Sequence, residues 1–478
     1  MSRVFTQSTK PDLTVVYKVL CVGLLVLQAL ALACVPEFDD YGQMCFVSLA
    51  QLALFVAMAM ASPCRQPFCI LFLVANWIFN CGQIACIAAG YGSDEVLNLD
   101  FRLFGMQTTI EAAFRFYLYS QTLIAAGAFL FQKPPSYKAP SDKAAFSVNV
   151  KAVAKCLIVA GLPFWLYVNI SKIAGAATDA YRGVYSLVIP APVQAASFFF
   201  EAGLLLMLLV VGRERKGTAL FWAAVAINVV LMATGSRQYS VCFLAVWCLV
   251  YFCYLRKLSA GRAVGMVVAG VLLLFAIDAF GELRTAGFSI KSFSSYLANA
   301  SFFDVVWDSL GEFGCAFSTL VVCMGYVPTG LSYGLGSSYL AGLLSVIPML
   351  VSYFPGLKSA TLFTRLIPGT SSFGGSMLGE FYYNFGWFGL VGPFLVGTLL
   401  AWCQNRLNES DKDERLVFVW VAAVISVFLL LFIRGYFTDA IMKVVYVFLA
   451  AWIADGVVRR FSARRSRALY RVSGGAAE

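Results

Sequence analysis

Residues 416–433 read LVFVWVAAVISVFLLLFI, an uncharged run bounded by Arg415 and Arg434. Coiled as a helix it is about 27 Å long, close to the roughly 30 Å hydrocarbon core of a bilayer. Runs of similar character recur along the chain, near 13–34, 42–62, 68–90, 109–131, 151–174, 191–211, 218–234, 239–255, 263–280, 383–403 and 440–458. With 60% of its 478 residues hydrophobic and 13% charged, the chain is too apolar for an ordinary soluble domain, so its solvent is lipid. The expected fold is all-α: one polytopic membrane domain over residues 1–478 with about 12 transmembrane helices.

The first run follows Arg3 and Lys10 and ends in Ala31-Leu32-Ala33-Cys34, which superficially suits a secretory signal. At over twenty residues it exceeds a signal core, and we read it as a retained first span. The 14 cysteines lie mostly inside apolar runs with no CxxC pair, which makes them small core residues. The sequence contains no histidine. That removes Ser-His and Cys-His nucleophiles, an imidazole base and histidine-ligated metal, and leaves acid–base work to carboxylates, tyrosine or lysine. No metal site and no cofactor are expected.

The net charge of +10 is placed unevenly. With the amino terminus inside, the connections at 63–67, 132–150, 212–217, 256–262 and 404–415 and the tail after Arg459 carry the bulk of the lysines and arginines. The opposite connections begin with Glu37-Phe38-Asp39-Asp40 and include the net acidic 91–107 segment. Short basic loops stay inside, so both termini are expected in the cytoplasm. The Arg459, Arg460, Arg464, Arg465 and Arg467 cluster then reads as an anchor at anionic membrane lipids, with no nucleic acid implied.

One large interruption, 281–382, falls outside between the ninth and tenth spans. Two short apolar stretches inside it, 313–327 and 339–354, the second broken by Pro348, suit interfacial or re-entrant helices or a tight extra hairpin. No internal repeat is visible, and the strong charges are expected at the outer boundary and not in mid-membrane. Both features argue against a transporter.

Four arginines stand where positive charge is disfavoured: Arg182 after the fifth span, Arg237 in Thr234-Gly235-Ser236-Arg237-Gln238, Arg284 in Gly281-Glu282-Leu283-Arg284, and Arg434 in Ile433-Arg434-Gly435-Tyr436. Each alone would be an ordinary boundary arginine reaching for headgroups. Four at the ends of different helices suit one cavity, where guanidinium groups offer paired donors to phosphate or pyrophosphate. A second constellation is residues 369–386, GTSSFGGSMLGEFYYNFG, where small residues lead into Glu380, Tyr382, Tyr383 and Asn384. Its plainer reading is a close-packed helix start. Glu380, Asp439, Glu282, Asp304 and Asp308 are the outer carboxylates available as a base, the last two being spaced as one solvated helix face. Trp307 and Trp387 suit an interfacial aromatic belt as well as sugar stacking.

The layout of spans, the late outer loop, the Thr-Gly-Ser-Arg hairpin at 234–237 and the GGSMLGEFYYNFG stretch at 374–386 together resemble the Wzy-type O-antigen and capsular polysaccharide repeat-unit polymerases of bacteria. The resemblance implies a metal-independent membrane glycosyltransferase in the bacterial cytoplasmic (inner) membrane. It would act on undecaprenyl-pyrophosphate-linked oligosaccharides beside a flippase and a chain-length regulator. On the matching positions it implies that Arg237, Arg284 and Arg434, with Arg182 as a fourth, hold the donor pyrophosphate. Tyr382, Tyr383 and Asn384 would line the substrate site, and Glu380 or, second, Asp439 would serve the acceptor hydroxyl. An O-antigen ligase-like transferase, which commonly uses histidine, and a lipid-linked oligosaccharide flippase or transporter are the competing readings.

Overall fold

The computed structural model describes residues 13–35, 37–38, 40–91, 107–133, 144–185, 189–232, 237–256, 301–367, 374–409 and 416–474, with backbone alone at 107–109, 144–148, 176–185, 191, 237 and 462–474. These residues form helices and turns, with no strand among them. The first eight helices are α1 (Leu13–Cys34), α2 (Tyr41–Ala61), α3 (Pro67–Ala88), α4 (Gln107–Leu130), α5 (Ala144–Tyr185), α6 (Ala191–Val211), α7 (Arg215–Met232) and α8 (Arg237–Leu249), the last running into a wider turn at Val250–Leu255. The chain resumes with α9 (Phe302–Phe313), α10 (Ala316–Tyr326), α11 (Ser337–Ser345) and α12 (Pro355–Ala360). It closes with α13 (Met377–Phe385), α14 (Val391–Leu407), α15 (Leu416–Ile433) and α16 (Phe437–Gly474). Among the described residues, 11 helical stretches are long and apolar enough to cross a membrane, and the chain is a multi-pass membrane protein.

Ten of the expected spans coincide with such stretches. The run at 263–280 lies outside the described residues. The run at 109–131 is a helix, α4, but it is less apolar than the rest because it carries Glu111, Arg115, Ser120, Gln121 and Thr122. Four of these five side chains have a local solution, while the Ser120 hydroxyl is buried without a hydrogen-bond partner. Arg115 pairs with Glu111 at 2.7 Å and donates to the carbonyls of Leu32 and Val35, clamping the end of α1. Gln51 of α2 donates to Thr122 (3.1 Å), Thr122 to Gln28 of α1 (2.9 Å), and Asn76 of α3 to Gln121 (2.5 Å). A chain of amides thus stitches α1 to α4 where lipid offers no partner.

Two further boundaries differ from expectation. The stretch at 313–327 is the second half of a longer helical segment: Phe302–Tyr326, interrupted only at Gly314 and Cys315, is long and apolar enough to cross. The run at 383–403 is not one helix, because the chain turns sharply at Gly386, whose φ of +56° is a conformation side chains with a Cβ rarely adopt. Tyr383 and Asn384 therefore belong to α13, and the long helix α14 begins only at Val391.

The two ends of the bundle are distinct. At one, hereafter the Arg65 end, the last turns of α14 gather its neighbours. Gln404 accepts from the Phe68 amide (2.9 Å) and donates to Tyr254, Asn405 donates to the Phe131 carbonyl (3.0 Å), and Asn408 donates to the Arg65 carbonyl (3.0 Å). At the other, the Glu37 end, α1 meets α2 and the helices α11, α13 and α16 converge.

α4 and α14 approach each other backbone to backbone. A Cβ added to Gly127 would stand 2.4 Å from the Phe394 carbonyl oxygen, and one on Gly397 would stand 2.1 Å from that of Ile124. Only hydrogen fits at either place, as at small-residue interfaces in membranes generally. Replacing either by leucine, Gly127→Leu or Gly397→Leu, is expected to cost at least about 1–3 kcal/mol of packing. Thermal unfolding of the detergent-purified protein should show both variants clearly destabilised, whereas Gly374→Ala, whose Cβ meets open space, should match wild type.

Candidate functional site

At the Glu37 end Ser376 caps α13 by accepting the Gly379 amide at 3.2 Å, and this sets Glu380 in the first turn of a wholly packed helix. The Glu380 side chain is 0% exposed. Its Oε1 accepts from the Ser338 hydroxyl at 2.6 Å, and its Oε2 accepts from the Phe437 amide at 2.8 Å. Phe437 is the first residue of α16, so the carboxylate meets an amide that the helix itself leaves unpaired, at the helix's positive pole. One turn on, Asn384 donates to the Ser338 oxygen and to the Glu380 carbonyl, both at 2.8 Å, and accepts from the Gly336 amide at 2.9 Å. The amides of Gly334 and Leu335 bond the carbonyls of Tyr383 and Asn384. Glu380, Ser338 and Asn384 therefore lock α11, α13 and α16 together. The hydroxyls of Tyr339 and Thr438, adjoining Ser338 and Phe437 in sequence, are buried without a hydrogen-bond partner.

The two tyrosines of the sequence motif also turn inward. Tyr382 packs edge-on to Phe116, and Tyr383 stacks on Phe363 with ring centres 5.1 Å apart. Phe363 opens the short turn Phe363–Leu366, whose Thr364 hydroxyl is hydrogen-bonded to the hydroxyl of Tyr436. The segment from α11 to this turn leaves α13, runs beside the start of α16 and returns to Tyr436 at the same end of the bundle. Burial pushes the Tyr436 hydroxyl above its ordinary pKa; the Thr364 hydrogen bond and the Arg365 charge oppose this, while Asp439 and Glu380 reinforce it. Arg365 and Asp439 are exposed.

Arg434, half-buried, occupies the turn between α15 and α16. Its carbonyl accepts from the Gln238 side chain at 3.2 Å, and Gln238 also reaches the Leu431 carbonyl at 3.4 Å. Gln238 follows Arg237, so the backbone of Arg237, the first residue of α8, lies beside Arg434. Two of the four expected arginines thus share one rim. Arg182 lies near the end of α5, described by its backbone alone, and Arg284 and Glu282 lie outside the described residues.

Below that rim is a group that the sequence reading missed. Glu201 sits midway along α6 and is 5% exposed; its carboxylate accepts from the Trp165 indole at 3.2 Å and from the Tyr239 hydroxyl. Lys172 of α5 and Lys443 of α16 lie within electrostatic reach of it, and the Lys443 ammonium stands 4.9 Å from the centre of the Phe198 ring. Tyr239 comes two residues after Arg237 and Lys443 six after Phe437, so the group begins within about one helical turn of the rim and reaches nearly two turns beneath it. Ionisable residues are therefore not confined to helix ends, as had been expected. The available signal was Glu201 itself, a lone carboxylate inside an apolar run, where an unpaired charge is costly. Arg365 and Ser338 were missed for a different reason: nothing local distinguishes them before the chain folds.

A polytopic helical membrane protein with a cationic rim over buried carboxylates is suited to handling an anionic, lipid-borne substrate. The family model for the O-antigen polysaccharide polymerase Wzy matches residues 17–455, nearly the whole chain, and the chain belongs to that family. It is accordingly a polymerase of O-antigen repeat units, acting on lipid-linked oligosaccharides in the membrane. No curated protein and no solved structure matches the chain.

The Glu380 contacts predict a graded response. Glu380→Ala leaves the Ser338 hydroxyl and the Phe437 amide unpaired in a dry site, at about 1–3 kcal/mol each, whereas Glu380→Gln keeps an acceptor for the amide and a donor for the serine oxygen. Unfolding midpoints of the purified variants are expected to fall in the order wild type, Glu380→Gln, Glu380→Ala.

Proposed function

We propose that the transfer takes place at the Glu37 end of the bundle, and that this end faces outward from the bacterial cytoplasmic membrane, with both termini inside. The basic connections at the Arg65 end support that orientation. The donor is a growing chain on undecaprenyl pyrophosphate, and the acceptor is the non-reducing end of an incoming lipid-linked repeat unit. The acceptor hydroxyl oxygen attacks C1 of the donor's reducing-end sugar as the C1–O bond to pyrophosphate breaks. The pyrophosphate leaves with the electron pair, and the hydroxyl proton passes to a carboxylate.

The observation that carries this reading is the shared rim of Arg237 and Arg434 above Lys443 and Lys172. Four cations from four places in the chain match a pyrophosphate better than a single boundary arginine would, and they stabilise charge where it develops on the leaving group. Arg284 and Arg182 are assigned to the same anion, and Arg365 joins them from the returning segment. Tyr382, Tyr383 and Asn384 act through the packing that holds this wall and are positioning residues.

Between the two carboxylates, exposure and hydrogen bonding favour Asp439 as the group that meets the acceptor. Glu380 has both oxygens occupied and no exposed surface, which suits a positioning residue. We read the transfer as metal-independent. The chain has no histidine, and among the described residues no three Cys, Asp or Glu side chains gather as ligands. The arginines then supply the positive charge that a metal would otherwise bring.

Polymer laddering in cells that supply the matching lipid-linked repeat, at equal membrane expression, tests the assignment. Arg434→Ala is expected to reduce polymer about a hundred-fold or more while single repeat units are still displayed, with Arg434→Lys between it and wild type. Asp439→Asn should abolish long chains, and Glu380→Gln should keep a shortened ladder. A full ladder in Asp439→Asn with none in well-expressed Glu380→Gln would move the base to Glu380. Repeat units accumulating on the cytoplasmic side would indicate a flippase instead.

A further inference from the structure

At the Arg65 end, remote from the transfer site, a cavity of about 870 Å³ opens between the α2–α3 turn, the α6–α7 turn and the wide turn that ends α8. Three arginines line it, Arg65, Arg213 and Arg256, one from each of those connections. Its remaining wall is largely apolar and includes Met60, Ile70 and Phe252. Basic loops are expected at a cytoplasmic face, but that rule places charge in water and does not build a chamber with a greasy side.

Arg256 is the most constrained of the three. One terminal nitrogen donates to the Glu214 carbonyl at 3.2 Å and to the Thr218 hydroxyl at 3.4 Å, while its Nε is buried with no hydrogen-bond partner. Thr218 is itself hydrogen-bonded to the Tyr251 hydroxyl at 2.9 Å, so the guanidinium plane is held in one orientation. Arg65 is held from behind by the Asn408 contact to its carbonyl, which leaves its side chain for the cavity.

We infer that this cavity binds the phosphate headgroup of an anionic glycerophospholipid, with the acyl chains running over Met60, Ile70 and Phe252. The volume falls within the range of small-ligand sites, and the combination of guanidinium groups with an apolar wall matches a molecule that is ionic at one end and oily at the other. A lipid seated here would bridge three connections, and so it would stiffen the end of the bundle opposite the transfer site.

The test uses the full-length protein in a zwitterionic detergent-lipid mixture and follows thermal unfolding against added phosphatidylglycerol, cardiolipin, phosphatidylcholine or inorganic phosphate. The anionic lipids are expected to raise the midpoint in a saturable way and phosphatidylcholine to do nothing. In the Arg65→Gln, Arg213→Gln double variant the lipid concentration required should rise about ten-fold or more. Because Arg256 also braces the fold, Arg256→Lys serves as the second variant: it keeps the charge but gives up the planar paired donors, and should weaken the lipid effect measured against that variant's own lipid-free midpoint. Equal stabilisation by phosphatidylcholine, or an undiminished response in both variants, would overturn the site; full stabilisation by inorganic phosphate alone would overturn the lipid as its source. None of these outcomes bears on the sugar chemistry at the other end.

Discussion

A carboxylate cut off from water must find its donors within the protein, and Glu380 finds them in Ser338 and in the first amide of α16. That pair of hydrogen bonds is the constraint on which the Glu37 end of the molecule depends. It fixes where α16 begins, and so where Asp439 and Lys443 project and where the turn bearing Arg434 lies. It also pins α11, the start of the segment that carries Thr364 and Arg365 back to Tyr436. In lipid such a contact is more decisive than at a water-exposed surface, because an unmatched group has no solvent to fall back on.

The same rule explains the rest of the bundle. Where helices carry polar side chains in their interior, as α1 to α4 do, several amides and hydroxyls pair across helices, although Gln28 Nε2, Gln51 Oε1 and the Ser120 hydroxyl are buried without partners. Where helices bring no polar partners, they approach backbone to backbone, as α4 and α14 do at Gly127 and Gly397. Lipid tails are as apolar as leucine, so burial of apolar surface alone gives helices little reason to associate, and close contact and hydrogen bonding take over that role. The Arg65 end is tied by side-chain amides of α14, while the Glu37 end is tied by a carboxylate.

The distribution of charge then acquires a chemical meaning. Arg237 and Arg434 lie about 200 residues apart in the chain, yet a single glutamine side chain joins their positions. Beneath them Glu201 tempers two lysines that would otherwise repel each other. On the proposed assignment, such a site stays positive enough to hold a pyrophosphate and balanced enough to be buried. Leaving-group stabilisation of that sort suits a family whose substrates arrive on lipid carriers.

Much of this was legible in the sequence. Apolar runs such as 416–433 announced the membrane and most of the helices, because span length is set by bilayer thickness and needs no knowledge of neighbours. The lack of histidine, the uneven basic loops and the GGSMLGEFYYNFG stretch pointed to the chemistry and to the family. The same letters could not say that Tyr382 and Tyr383 face inward, that the helix after them breaks at Gly386, or that Glu201 stands with Lys172 and Lys443. Those outcomes depend on which helix lies against which, and along a membrane chain side chains hundreds of residues apart in sequence compete for the same partners. Thickness and charge bias act on each segment alone, so the sequence by itself determined the spans and their kind. The pairing of buried polar groups acts between segments, and only the tertiary structure decided which carboxylate is walled in and which is left at the rim.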